Sequence, residues 1–126
     1  MISLPPAVRI FLARDPADMR RGFDGLAALT ASALGQDPLS GHLFVFRNRR
    51  GDRLKVLYWD RDGLAIWAKR LERGAFRFPP PRDGRIEVTP AEMAAILEGI
   101  DLERAPRRPR FALPSVPPSR RGDKIA

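Results

Sequence analysis

Residues 42–59 read HLFVFRNRRGDRLKVLYW: two apolar runs joined by the polar turn NRRGD. This stretch limits the fold more than any other. β-Branched and aromatic residues fit a pleated, half-buried surface, and Gly51 can take positive φ at the turn. His42–Arg47 and Arg53–Trp59 are therefore expected to form a β-hairpin. Leu54, Val56 and Tyr58 alternate along the second run and turn towards a core, whereas Arg49, Arg50 and Arg53 gather at the tip, where side chains are free.

The flanking sequence supplies the layers that such a hairpin needs. Val8, Ile10 and Leu12 share one face of a first strand over 8–13, with apolar Phe11 on the other face. Asp15 as cap, Pro16 at the first helical position and Asp18 in the first turn predict a helix running to about Leu34. Met19, Phe23, Leu26 and Thr30 lie on one stripe of that helix. Gly22 and Gly25 inside it would each cost about 1 kcal/mol relative to Ala, which calls for the close approach of another backbone. The run at 62–74 has strand-like content, but Leu64, Trp67, Ala68 and Leu71 fall at helical spacing between Asp62 and Gly74. A short helix is expected there. Phe76–Phe78 and Arg85–Val88 read as brief strands, and Thr89, Pro90 and Glu92 form a capping box that opens a helix ending at Gly99. The expected class is α+β: a small, mainly antiparallel sheet with a β-hairpin, packed by about three helices. Residues 1–102 form one domain, and 103–126 form a basic, Pro- and Arg-rich disordered tail.

Charge and cysteine content narrow the function. The 126 residues carry a net charge of +8, with an isoelectric point near 11.3. From Arg47 to Arg85 twelve cations face five acids, so most of the surplus sits in the middle third. Biased base composition inflates Arg, Ala and Pro generally, but clustering like charges on one hairpin calls for an anion to relieve repulsion. With no cysteine, disulfides, thiolate metal sites and thiol catalysis are excluded. No apolar run approaches the roughly 20 residues of a membrane span, and MISLPPAVRI lacks the pattern of a signal peptide. The chain is read as cytoplasmic. His42 is the sole histidine and has no partner motif, and the acidic residues read as caps and turn residues. No catalytic residue, cofactor or metal site is expected.

The segments DMRRGFDGL (18–26), the long run from DPLSGHLFVF to AFRFP (37–79) and TPAEMAAILEGID (89–101) resemble the short TnpB accessory proteins of the Insertion Sequence 66 family of bacterial transposable elements. Those are unrelated to the RNA-guided nucleases of the same name. Ala68 and Leu102 stand where such members carry aromatic residues, which removes an aromatic-stacking role there. The resemblance implies a non-enzymatic accessory factor, encoded beside a DDE-type transposase and needed for efficient transposition. Together with the charge it marks Arg47, Arg49, Arg50, Arg53, Lys55, Lys69, Arg70 and Arg73 as candidate DNA-binding residues, with the element ends as the DNA and the transposase as protein partner. Arg20 and Arg21 lie in the first matching motif. The competing expectation is a module that docks on the transposase through a KRLER helix and touches DNA little.

Overall fold

The computed structural model describes residues 7–99. Its elements are β1 (Ile10–Leu12), α1 (Phe23–Ala33), β2 (Leu43–Arg47), β3 (Arg53–Asp60), β4 (Gly63–Arg70), β5 (Ile86–Val88) and α2 (Pro90–Leu97). The five strands form one sheet in the order β4-β3-β2-β1-β5. β1 runs parallel to β2, and the other three pairings are antiparallel. The α+β class and the mainly antiparallel sheet thus hold, but two helices pack on the sheet among the described residues rather than three. The tail expected over 103–126 lies outside the described residues.

Both faces of the sheet are covered. On one, Ile10, Leu12, Val45, Leu54, Val56 and Val88 pack with Phe76 and with Met93 and Ile96 of α2. On the other, Phe11, Phe44, Phe46 and Leu57 pack with Leu26 of α1. Two-sided burial is why Leu43–Phe46 in β2 is apolar at every position. The expected hairpin is present, with Val45 opposite Val56 and Arg47 opposite Leu54. Gly51 sits at φ 80°. A Cβ there would meet the Ala75 Cβ at 3.3 Å, so backbone freedom and close packing both favour glycine. Asn48 organises the turn: its Oδ1 accepts from the Arg53 N–H at 3.0 Å, and its Nδ2 donates to Asp52 Oδ1 at 2.7 Å. α2 opens as expected, with Thr89 Oγ1 accepting from the Glu92 N–H at 3.1 Å and Glu92 Oε1 accepting from the Thr89 N–H at 2.8 Å.

Four local expectations fail, three of them for a tertiary reason. The expected helix over 62–74 is β4. Arg61, at φ 61°, and Asp62 make a two-residue turn that returns the chain along β3, from Asp60 opposite Gly63 to Arg53 opposite Arg70. Leu64 and Ile66 pack towards α1, and Trp67 and Leu71 towards α2. Because side chains on both faces are partly covered, the polar–apolar alternation that would mark a strand is missing. The first helix begins at Phe23 rather than near Asp15. Residues 13–17 follow β2 instead, the Ala13 N–H donating to Val45 O at 2.8 Å and the Ala17 N–H to Arg47 O at 2.9 Å. Gly22 is therefore the cap position, with no side-chain cap. No other backbone approaches the two glycines: nothing would lie within 4 Å of a Cβ on Gly22, and the Arg21 side chain is what one on Gly25 would meet. Phe76–Phe78 is not a strand; it crosses beside the hairpin tip, where the Phe76 N–H donates to Gly51 O at 2.7 Å.

Candidate nucleic-acid interface

At the hairpin end of the sheet, the chain leaving β4 folds back against the tip. The Leu71 N–H donates to Asp52 O at 2.8 Å, and Phe76 bonds to Gly51 as described. This brings Arg73 and Arg77 to the end that carries Arg49, Arg50 and Arg53. All five are exposed. Among the described residues, none of their guanidinium groups enters a hydrogen bond or an ion pair. Arg53 lies directly opposite Arg70 across β3 and β4, an arrangement of like charges that is unfavourable without an anion. Asp52 is the acid in the turn. Its hydrogen bond from Asn48, with help from nearby Arg50 and Arg53, holds its carboxyl below the usual range.

The eight candidate cations do not share one role. Arg47 is half-buried: its Nη1 donates to Phe76 O at 2.9 Å, and its guanidinium lies 4.1 Å from the centre of the Phe78 ring. Burial, and secondarily Arg77, draw its pKa below the ordinary arginine value. Lys55 donates through Nζ to Met19 O at 2.7 Å and Arg21 O at 3.0 Å, fixing the turn before α1 to β3. Lys69 donates to Leu97 O at 3.0 Å, placing positive charge at the C-terminal end of α2, where the helix dipole favours it. Arg70 pairs with Glu72 at 3.1 Å on the surface. Arg49, Arg50, Arg53 and Arg73 therefore remain as unpartnered cations from that set. Arg77 joins them. Phe76 and Phe78 on either side of it pack against the core, and Arg77 between them is exposed.

Beside the tip, Met19, Arg53, Lys55, Ala68, Arg70 and Glu72 line a shallow groove between the turn before α1 and the ends of β3 and β4. Arg20 stands on that turn, bound to Asp18 by a 2.7 Å ion pair. The hydrogen bonds from the Arg20 side chain, and then from its backbone N–H, hold the Asp18 carboxyl down at about 2. The aromatic residues nearest the basic stretch do not form a stacking platform. Tyr58 and Trp67 pack against the core, and the large apolar side chains that stand exposed are Phe23 and Leu39, neither of them on the tip. His42 serves the sheet: its Nδ1 accepts from the Arg9 N–H at 3.0 Å, and its ring meets Phe11 edge-on. Among the described residues, no three His, Cys, Asp or Glu side chains converge as a metal site would require. No helix there is long and apolar enough to cross a membrane.

The model of the family described as IS66 Orf2 like protein matches residues 8–107. The chain belongs to that family. Two proteins of Sinorhizobium fredii strain NGR234 are close in sequence. The uncharacterized protein y4jC is 45% identical over 109 residues, spanning 86% of this chain and 93% of its own length. The uncharacterized protein y4hO is 44% identical over 94 residues, spanning 75% of this chain and 82% of its own. No solved structure matches. Membership of the IS66 Orf2-like family gives the chain a transposition-associated accessory role. Within that family frame, the KRLER segment is not a helix here: Lys69 and Arg70 close β4, and Leu71 to Arg73 turn away from it.

Proposed function

We propose that this IS66 Orf2-like protein is a non-enzymatic accessory factor that holds the phosphate backbone of the element's ends and works beside the DDE-type transposase of the same element. The observation that carries this reading is the set of unpartnered guanidinium groups at one end of the sheet: Arg49, Arg50, Arg53, Arg73 and Arg77. Arg is suited to phosphate oxygens by its planar fork, and phosphate contacts position a protein on DNA without reading sequence. The absence of an exposed aromatic at the tip favours duplex phosphates over stacked single-stranded bases.

The test is a salt titration of the full chain with labelled element-end and scrambled duplexes. Affinity for both falls as salt rises, with a log–log slope of about −0.9 for each phosphate contact. Replacing Arg49 and Arg50 together by Ala lowers the slope by about 1.8 if each makes one contact. Stability changes by less than about 0.5 kcal/mol per residue, because both are exposed tip positions. If the double variant binds both duplexes like the parent but no longer associates with the transposase, the tip is a protein-docking surface instead.

A further inference from the structure

The two edges of the sheet are built differently. β5 is three residues long, carries Glu87 at its centre, follows Pro79–Pro81 and the Arg82–Arg85 bridge, and runs directly into α2 at Pro90. Short length, charge and proline are the usual defences of an edge strand. β4 has none of them along its middle. It runs eight residues, pairs with β3 without a bulge, and reads Leu-Ala-Ile-Trp-Ala from 64 to 68 with neither charge nor proline.

The hydrogen-bond phase identifies what that edge offers. The Asn48 N–H donates to Arg53 O, and the Leu71 N–H to Asp52 O. In an antiparallel ladder, residues that exchange hydrogen bonds with one neighbour alternate with those that face the other. Odd positions of β3 therefore bond to β2, and odd positions of β4 bond to β3. The backbone groups of Leu64, Ile66, Ala68 and Arg70 point to the open edge.

We infer that this edge pairs with β4 of a second copy of the chain, antiparallel and centred on Ile66. An interface between identical chains must be self-complementary about a two-fold axis, and the charges of β4 are. Asp60 and Asp62 flank its start, and Lys69 and Arg70 its end. With Ile66 opposite Ile66, Leu64 faces Ala68, Ala65 faces Trp67, and Arg70 comes opposite Asp62 at both ends. Sliding one strand by two residues in one direction sets Asp62 against Glu72, and in the other sets Arg61 against Lys69. Over residues 62–70 each shift also removes the Asp62–Arg70 pairing, so the register centred on Ile66 is the one of the three that sets opposite charges face to face. The pairing joins two sheets into one and leaves each cationic tip at an opposite end of the interface.

The chain has no cysteine, so single substitutions provide a clean register test. In DNA-free solution the full chain sediments as a dimer, and Ile66→Lys shifts it to monomer while its thermal transition persists. Ile66→Cys forms a covalent dimer under mild oxidation, because a residue on the two-fold axis faces its own copy at about 5.5 Å between Cα atoms, within disulfide reach. Leu64→Cys and Ala68→Cys each cross-link poorly alone but readily when the two variants are mixed. Arg70→Asp weakens the dimer, and the Asp62→Arg, Arg70→Asp double variant restores it. A parent chain that stays monomeric at its highest soluble concentration overturns the inference. So does a dimer unaffected by Ile66→Lys, or one that cross-links equally at 64, 66 and 68. None of these readouts involves DNA, so they stand or fall apart from the phosphate-binding reading.

Discussion

The β5 edge of the sheet and its hairpin end treat arginine in opposite ways. Beside β1 and β5, Arg9 gives Glu87 two hydrogen bonds of 2.7 Å, Arg85 approaches the same carboxylate at 3.8 Å, and both guanidinium groups lie over the Phe11 ring, at 5.0 and 5.7 Å. Arg9 and its neighbours hold the Glu87 carboxyl below its usual range. At the hairpin end, five arginines project with no acid in contact, and one of them, Arg53, faces Arg70 across β3 and β4. Biased composition would put arginines in both places, but it does not explain why Glu87 engages both arginines beside it while five at the hairpin end have no acid in contact. The difference lies in what each place is left to bind.

Three measurements test that contrast, beginning with the largest effect. Arg47 belongs to the cationic end by sequence but to the core by contact. Arg47→Ala therefore destabilises the fold by about 1–3 kcal/mol, since it strips the buried Phe76 carbonyl of its donor and removes the stack on Phe78. Chemical denaturation reads this directly, and a cost no greater than that of Arg49→Ala would erase the distinction between anchoring and free arginines. Glu87→Gln releases Arg9 and Arg85. Because the pair is largely exposed, the thermal midpoint moves by no more than a few degrees, while affinity for duplex DNA rises at low salt as a second unpaired cluster appears. Unchanged affinity would show that position at the tip matters beyond unpaired charge. The smallest effect concerns Asp18. Its folded pKa, about 2, lies below the ordinary carboxylate value because Arg20 hydrogen-bonds it. A depressed carboxyl contributes its stability fully above the unfolded pKa and loses it as pH falls through the folded one. The contribution thus fades from about pH 4 down to about pH 2. Carboxyl-carbon NMR gives the midpoint directly, and one near 4 would mean that Arg20 does not hold this carboxylate in solution.

Features decided within a few residues were legible in the sequence. The tip with Gly51 and the Thr89–Glu92 capping box form as read, because backbone geometry and nearby side chains settle them. Features decided by distant partners were not. Leu64, Trp67, Ala68 and Leu71 keep helical spacing, yet a two-residue turn and the open side of β3 put the first three in a strand and leave Leu71 just past its end. Asp15 and Pro16 resemble a helix start, yet β2 takes the backbone of residues 13–17. The same division runs through the site. Total charge located the cationic end. Only three-dimensional contacts separate Arg49 and Arg50, which are free, from Lys55 and Lys69, which fasten a turn and a helix end to the sheet.

β1 occupies a position with a kinetic consequence. Its three residues join β2 on one side and β5 on the other, with Ile10 beside both Leu43 and Val88. β2, β3 and β4 follow one another through short turns and can zip up from neighbouring contacts. β1 must close a loop across α1 to reach β2, and β5 must return across most of the chain to reach β1. Contacts between distant residues carry the entropy of closing long loops before they give any return. The three-stranded meander should therefore organise first, with the insertion of β1 as the late step that commits the chain. The same strand should open first as a unit when the native state fluctuates, so amide protons of Ile10–Leu12 and Ile86–Val88 should exchange together and ahead of those in β3.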